Sequence, residues 1–189
     1  MLKYFFSAIF FLFSVSCFSQ DAQRSKFSAG LSIGYKTPNG LGFILSYHAN
    51  RVVQVDLMAG YTRYNGAKFA AGGKIYPLKP HKVNPFISAA YSISMGATVK
   101  AGYVPSQKEQ YTTYSNQYIV TGIGITIIGE EMGHSLQIGY SLGLQKPDYE
   151  AKDFGNGYYA SKDKVVNSLK SGIMATYNLF LFFDKSKRR

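Results

Sequence analysis

Residues Ser135 to Leu144 read Ser-Leu-Gln-Ile-Gly-Tyr-Ser-Leu-Gly-Leu. Leu136, Ile138, Tyr140, Leu142 and Leu144 share one parity, and Ser135, Gln137, Gly139, Ser141 and Gly143 share the other. Side chains of an extended chain point alternately to opposite faces. Period two over this length therefore describes a strand with a large apolar face and a small polar one.

The same rhythm runs outward in both directions. Upstream, Phe27, Ala29, Leu31, Ile33 and Tyr35 alternate with Ser28, Gly30, Ser32 and Gly34, and Thr37-Pro38-Asn39-Gly40 marks a turn. Further strands place Leu41 to Tyr47, Val53 to Tyr61, Phe69 to Ile75, Ile87 to Met95 and Ile119 to Ile127 on apolar faces. Downstream, Leu169, Ile173, Ala175, Tyr177, Leu179, Leu181 and Phe183 predict the last strand. That makes eight strands. Asn50-Arg51, Asn65-Gly66, the two-proline segment 77–84 and Gly129 to Gly133 separate them. Two stretches without the alternation, about 97–115 and 145–165, read as long polar loops.

The small polar face decides what kind of barrel this is. A soluble barrel turns a Lys-, Glu-, Asp- and Arg-rich face to water. Here that face is Gly, Ser, Ala, Thr and Gln, with mid-strand charges at Asp56, Lys74 and Lys170. Small side chains fit the narrow interior of eight strands, which leaves the aliphatic face for lipid. The expected fold is all-β, an eight-stranded antiparallel up-and-down transmembrane β-barrel. Both long loops fall on one side and the shorter turns at 49–51, 77–84 and 129–133 on the other. In outer-membrane barrels long loops are extracellular and short turns periplasmic, which puts both termini in the periplasm. Phe27, Tyr47 and Phe183 then form an aromatic girdle at the periplasmic interface, and Tyr35, Tyr61 and Phe69 one at the outer interface.

On these strands, about residues 26 to 183, the chain resembles the small outer-membrane β-barrel families of the OmpA transmembrane-domain and OmpX type. Tyr177, Leu179, Leu181 and Phe183 also look like the terminal-strand signal read by the barrel-assembly machinery, although six residues follow Phe183.

The N-terminus fits export. Lys3 precedes an apolar run from Phe5 to Val15 and small residues around Ser16-Cys17-Phe18-Ser19, the layout of a secretory signal peptide. The run is shorter than the roughly 20 residues a spanning helix needs. The expected organisation is a signal peptide over 1–19, a barrel over 20–183 and a basic periplasmic tail over 184–189. Cleavage removes Cys17, the one cysteine. The rival reading, Cys17 as a lipidated N-terminus, meets Ser14 where a lipobox has an aliphatic residue.

Asp56, Lys74 and Lys170, with Gln54, Gln137 and Thr176, are expected to form a lumenal network of ion pairs and hydrogen bonds, because a buried charge must be paired. An ion path is the alternative use of the same residues. His48, His81 and His134, with Glu130 and Glu131, match no metal-ligand spacing, and no metal, cofactor or catalytic residue is assigned. The formal net charge of +11 is dispersed: Lys36, Arg63 and Lys68 in the short outer loops, mixed charges in 145–165, and Lys185, Lys187, Arg188 and Arg189 in the tail. Dispersal argues against a nucleic-acid stripe. The expected partners are outer-membrane lipids, including lipopolysaccharide phosphates, for a monomeric barrel. The Tyr-rich loops (Tyr103, Tyr111, Tyr114, Tyr149, Tyr158, Tyr159) offer either an adhesive surface or a stiffening extension of the barrel. A structural or surface-interaction role follows. A lipid-modifying enzyme and a soluble lipocalin-like ligand carrier are the alternatives.

Overall fold

The computed structural model describes residues 26–78, 81–101, 109–129, 132–152 and 162–183. Eleven strands and one helix lie among them: β1 (Phe27–Tyr35), β2 (Leu41–His48), β3 (Val53–Thr62), β4 (Gly66–Ile75), β5 (Val83–Ser94), β6 (Ala97–Ala101), β7 (Glu109–Thr113), β8 (Asn116–Ile128), β9 (Met132–Gly143), β10 (Tyr149–Lys152), α1 (Lys162–Leu169) and β11 (Gly172–Phe182). Eight of the strands close into an antiparallel barrel in the order β1-β11-β9-β8-β5-β4-β3-β2. Leaving the three short strands aside, each strand pairs with its neighbours in sequence. β1 and β11 close the ring from Ser28↔Phe182 to Tyr35↔Ala175.

The alternation becomes an inside and an outside. The polar parity points inward: Ser32, Ser46, Gln54, Asp56, Ser92, Ser135 and Asn178 are buried. The apolar parity points outward, with Ile173 74%, Phe43 69% and Ile138 61% exposed. Glycine lets the wall curl tightly. Gly122 and Gly139 are register partners on β8 and β9, and a Cβ on Gly139 would stand 2.0 Å from the Thr121 carbonyl oxygen. The interior also holds bulk. Ile44, Tyr76, Phe86, Tyr118, Val120, Met174 and Phe180 are buried among the polar groups, so close packing fills the centre.

Three expectations need correction. The described parts of the stretches read as long polar loops form a cap on the barrel. β6 and β7 make a hairpin to which β10 adds a third strand, in the order β10-β7-β6. Leu169 belongs to α1, not to the last strand. Val165 and Leu169, four residues apart on one helix face, are buried against Tyr111, with Tyr64 and Tyr149 packed beside them. Lys170 follows that helix, lies outside β11 and is exposed, so it is not a lumenal residue. Period two carried on past Gly172 had placed it inside. The signal-peptide and tail expectations fall outside the described residues.

Candidate functional site: the barrel interior

Two polar clusters lie inside the barrel. The first sits toward the short-turn end. Asp56 on β3 accepts hydrogen bonds at Oδ1 from Ser46 Oγ and Gln54 Nε2, both at 2.6 Å. Its Oδ2 faces Lys74 Nζ at 3.4 Å. The register opposes Asp56 to Ser46 on β2 and Gln54 to Lys74 on β4, so neighbouring strands deliver all four side chains to one place. Gln54 Oε1 accepts from Tyr76 OH at 2.7 Å. Lys74 Nζ lies 5.0 Å from the Phe86 ring centre and 4.9 Å from that of Phe180, within cation–π range. The ammonium thus has a carboxylate on one side and two aromatic faces on others, but no hydrogen bond of good geometry.

Gln137 lies apart from this cluster, on β9, and its Nε2 donates to Ser88 Oγ at 2.7 Å. Thr176 donates to Met174 Sδ at 3.3 Å. Between Gln137, Thr176, Asn178, Asp56 and Lys74 remains a cavity of about 20 Å³. A single water needs about 10–15 Å³, so this space suits a water or two and is no continuous aqueous path.

The second cluster closes the opposite mouth. The turn between β1 and β2 folds into the barrel instead of out of it. Thr37 and Asn39 are completely buried, and Pro38 and Gly40 are buried with them. Lys68 Nζ donates to the Thr37 carbonyl at 2.8 Å, Ser92 Oγ to the Pro38 carbonyl at 2.5 Å, and Ser32 Oγ to Asn39 Oδ1 at 3.0 Å. The turn needs the left-handed backbone at both ends, at Lys36 (φ 52°) and at Gly40 (φ 68°). Lys68 is itself buried, with the Tyr118 ring 4.9 Å from its Nζ. The sequence puts Lys68 on the parity of Lys74, six residues on in the same strand, as well as next to the short outer loops; the structure follows the parity and buries it, so it is not a loop cation.

The cap lies over this mouth and ties the long connections together. Thr113 Oγ1 donates to the Tyr64 carbonyl at 2.6 Å. Lys36 Nζ donates to the carbonyls of Lys170 at 2.8 Å and Ser171 at 3.1 Å, just past α1. Removal of the Lys36 charge from water, then repulsion from Lys170, push its pKa below the usual lysine value. Of the loop tyrosines, Tyr111 is the buried centre of the cap and Tyr114 remains exposed, while Tyr103, Tyr158 and Tyr159 fall outside the described residues.

The six aromatics expected to form the girdles all point outward. Phe27 and Tyr47 are register partners at the short-turn end, with ring centres 5.0 Å apart, and the Phe183 N–H donates to the Phe27 carbonyl at 3.3 Å beside them. Tyr35 and Tyr61 stand at the cap end of β1 and β3, and Phe69 two register positions further from the mouth. His134 lies on β9, with Nδ1 2.6 Å from Tyr177 OH on the outer wall. Glu130 and Glu131 are outside the described residues. Among those described, no three His, Cys, Asp or Glu side chains gather as a metal site would need.

No family model matches the chain, and neither does any curated protein sequence. The crystal structure of Acinetobacter baumannii CarO is similar at 14% identity, covering 82% of this chain and 97% of that one with a TM-score of 0.46. That of Acinetobacter baumannii CarO2 is similar at 12% identity, covering 86% and 100%, with a TM-score of 0.44. Likenesses this distant carry no argument about this chain. Its barrel rests on its own strand pairing.

Proposed function

We propose that this chain is a bacterial outer-membrane β-barrel, exported by its N-terminal signal peptide, that acts through contacts of its capped extracellular end and not by catalysis or conduction. One observation carries the membrane assignment: polarity is inverted. Leu31, Ile33, Phe43, Leu57, Ile123, Ile138 and Ile173 stand on the exposed wall, while serines, Gln54, Asp56, Lys68 and Lys74 are buried. Each large apolar side chain left in water forgoes about 1.5–3 kcal/mol. A belt of them around a whole barrel is stable only where hydrocarbon is the solvent. The same wall speaks against a soluble ligand carrier.

The filled interior and the inward turn support a closed barrel. With the long connections extracellular, the cap becomes the surface presented to the outside and the short turns face the periplasm. Phe27, Tyr47 and Phe183 then lie at one lipid–water interface and Tyr35, Tyr61 and Phe69 toward the other. Lys36, Arg63 and Lys170 stand at the outer rim, where lipopolysaccharide phosphates are the fitting partners. The barrel-assembly machinery and membrane lipids complete the set of partners for a monomer.

Fractionation of cells producing the protein, combined with heat-modifiable gel mobility, tests the assignment. The expected result is an outer-membrane band that migrates faster unheated than boiled. A soluble, detergent-independent band overturns it. A deletion strain scored for adhesion and envelope permeability then tests the contact role.

A further inference from the structure

We propose that the inward turn occupies a binding well for a small organic acid, with Lys68 and Ser92 as the groups that hold the acid's carboxylate. The inference does not depend on where the barrel resides. It begins from two donors aimed at two neighbouring oxygens. The Lys68 ammonium holds the Thr37 carbonyl at 2.8 Å, and the Ser92 hydroxyl holds the Pro38 carbonyl at 2.5 Å. One carboxylate offers two oxygens to the same two donors, and as an anion it makes the stronger, charge-assisted bonds.

Charge is the second argument. Among the described residues the one ion pair is Lys74 with Asp56. Lys68 is equally buried, yet it faces a neutral carbonyl and the ring of Tyr118. A buried ammonium without a counter-charge is costly, and a neutral donor could pin a backbone carbonyl without that cost. The charge has a use if the carbonyl is a resident substitute for an anion.

Displacing the turn would release backbone strain at its first residue. It is a five-residue link, Lys36 to Gly40, between two complete strands, and its first residue holds a strained positive φ of 52°. Lifting it would free the space that the buried residues Thr37 to Gly40 now fill, beside Lys68 and the Tyr118 ring, which itself packs with Val120 and Met174. Such a pocket is closed in the resting state and opened by the ligand that binds there.

Cysteine labelling tests this in the full chain with Cys17→Ser, folded in detergent micelles. Ser92 is fully buried beneath the turn, so Ser92→Cys reacts only when the turn lifts. Two methanethiosulfonate reagents of similar size serve as probes, one carrying a sulfonate and one a trimethylammonium group. The expected result is about tenfold faster labelling by the sulfonate, the order of enrichment one focused charge gives. Acetate is expected to slow labelling more than chloride at equal ionic strength, and Lys68→Met to abolish the preference. Equal rates, faster labelling by the cation, or a cysteine that reacts only after unfolding overturns the proposal. Acetate protecting no better than chloride overturns the carboxylate assignment. If Lys68→Met fails to fold, the sulfonate-to-ammonium ratio in the lysine-containing protein decides alone.

Discussion

Removing either charge of the Asp56–Lys74 pair should cost far more than removing both. Asp56→Asn keeps an acceptor for Ser46 and Gln54 but strands a buried ammonium whose remaining described company is the faces of Phe86 and Phe180. Breaking one side of a buried pair costs about 3–5 kcal/mol. Lys74→Met strands the carboxylate instead, but two hydrogen bonds to it survive, which puts its cost near the lower end, about 3 kcal/mol. The double variant Asp56→Asn/Lys74→Met leaves no buried charge at this point and retains both acceptor contacts. It is expected within about 1 kcal/mol of the native protein. The singles therefore sum to roughly 6–8 kcal/mol against about 1 for the double, a coupling of several kcal/mol. Urea unfolding in lipid vesicles, followed by the loss of the fast gel band, measures all four corners of the cycle. A double variant destabilised by the sum of the singles refutes the reasoning, because it shows that the two charges do not compensate each other.

The outer wall gives a second test. Ile138→Arg on the mid-wall of β9 is expected to destabilise the barrel in vesicles by about 2–4 kcal/mol, read from the urea midpoint, whereas on a water-facing wall the change is close to neutral. Gly139→Val places a branched side chain where a Cβ alone meets the Thr121 carbonyl at 2.0 Å, so folding yield in the gel-mobility assay should collapse. Tyr111→Ala empties the centre of the cap; limited proteolysis is expected to cut between β5 and β8 while the barrel band survives. The filled lumen predicts no steady current when the protein is reconstituted in planar bilayers, and well-resolved open-channel steps contradict that packing.

How much of this was legible in the sequence depends on the interaction that decided each element. The barrel strands were readable because lipid-like and lumen-like environments impose period two directly on the chain, as Leu136 to Leu144 show. The parity that puts Asp56 and Lys74 inside needs no tertiary knowledge, and the same rule puts Lys68 on the inner face at the other mouth. The cap was not readable. Tyr111, Val165 and Leu169 come from two distant segments, and their burial depends on a contact that neither segment encodes locally. Leu169 and Lys170 went astray for a related reason. The last strand's alternation carries into α1 with one exception, Ser171 on the apolar parity, and packing against Tyr111 decides that Leu169 belongs to a helix. The inward turn is the sharpest case. Thr37-Pro38-Asn39-Gly40 announces a turn, but which way it folds depends on Lys68, Ser92 and Ser32, each supplied by a different strand.

The chain contains no tryptophan, which allows a direct reading of which side faces lipid. Single variants Ile123→Trp, Ile138→Trp and Phe86→Trp each carry the sole indole, the first two on the exposed wall and the third inside. In vesicles whose lipids are brominated along the acyl chain, fluorescence should be strongly quenched at positions 123 and 138 and barely affected at 86. Quenching at 86 with none at 123 and 138, or quenching at none of the three, contradicts a wall that faces hydrocarbon.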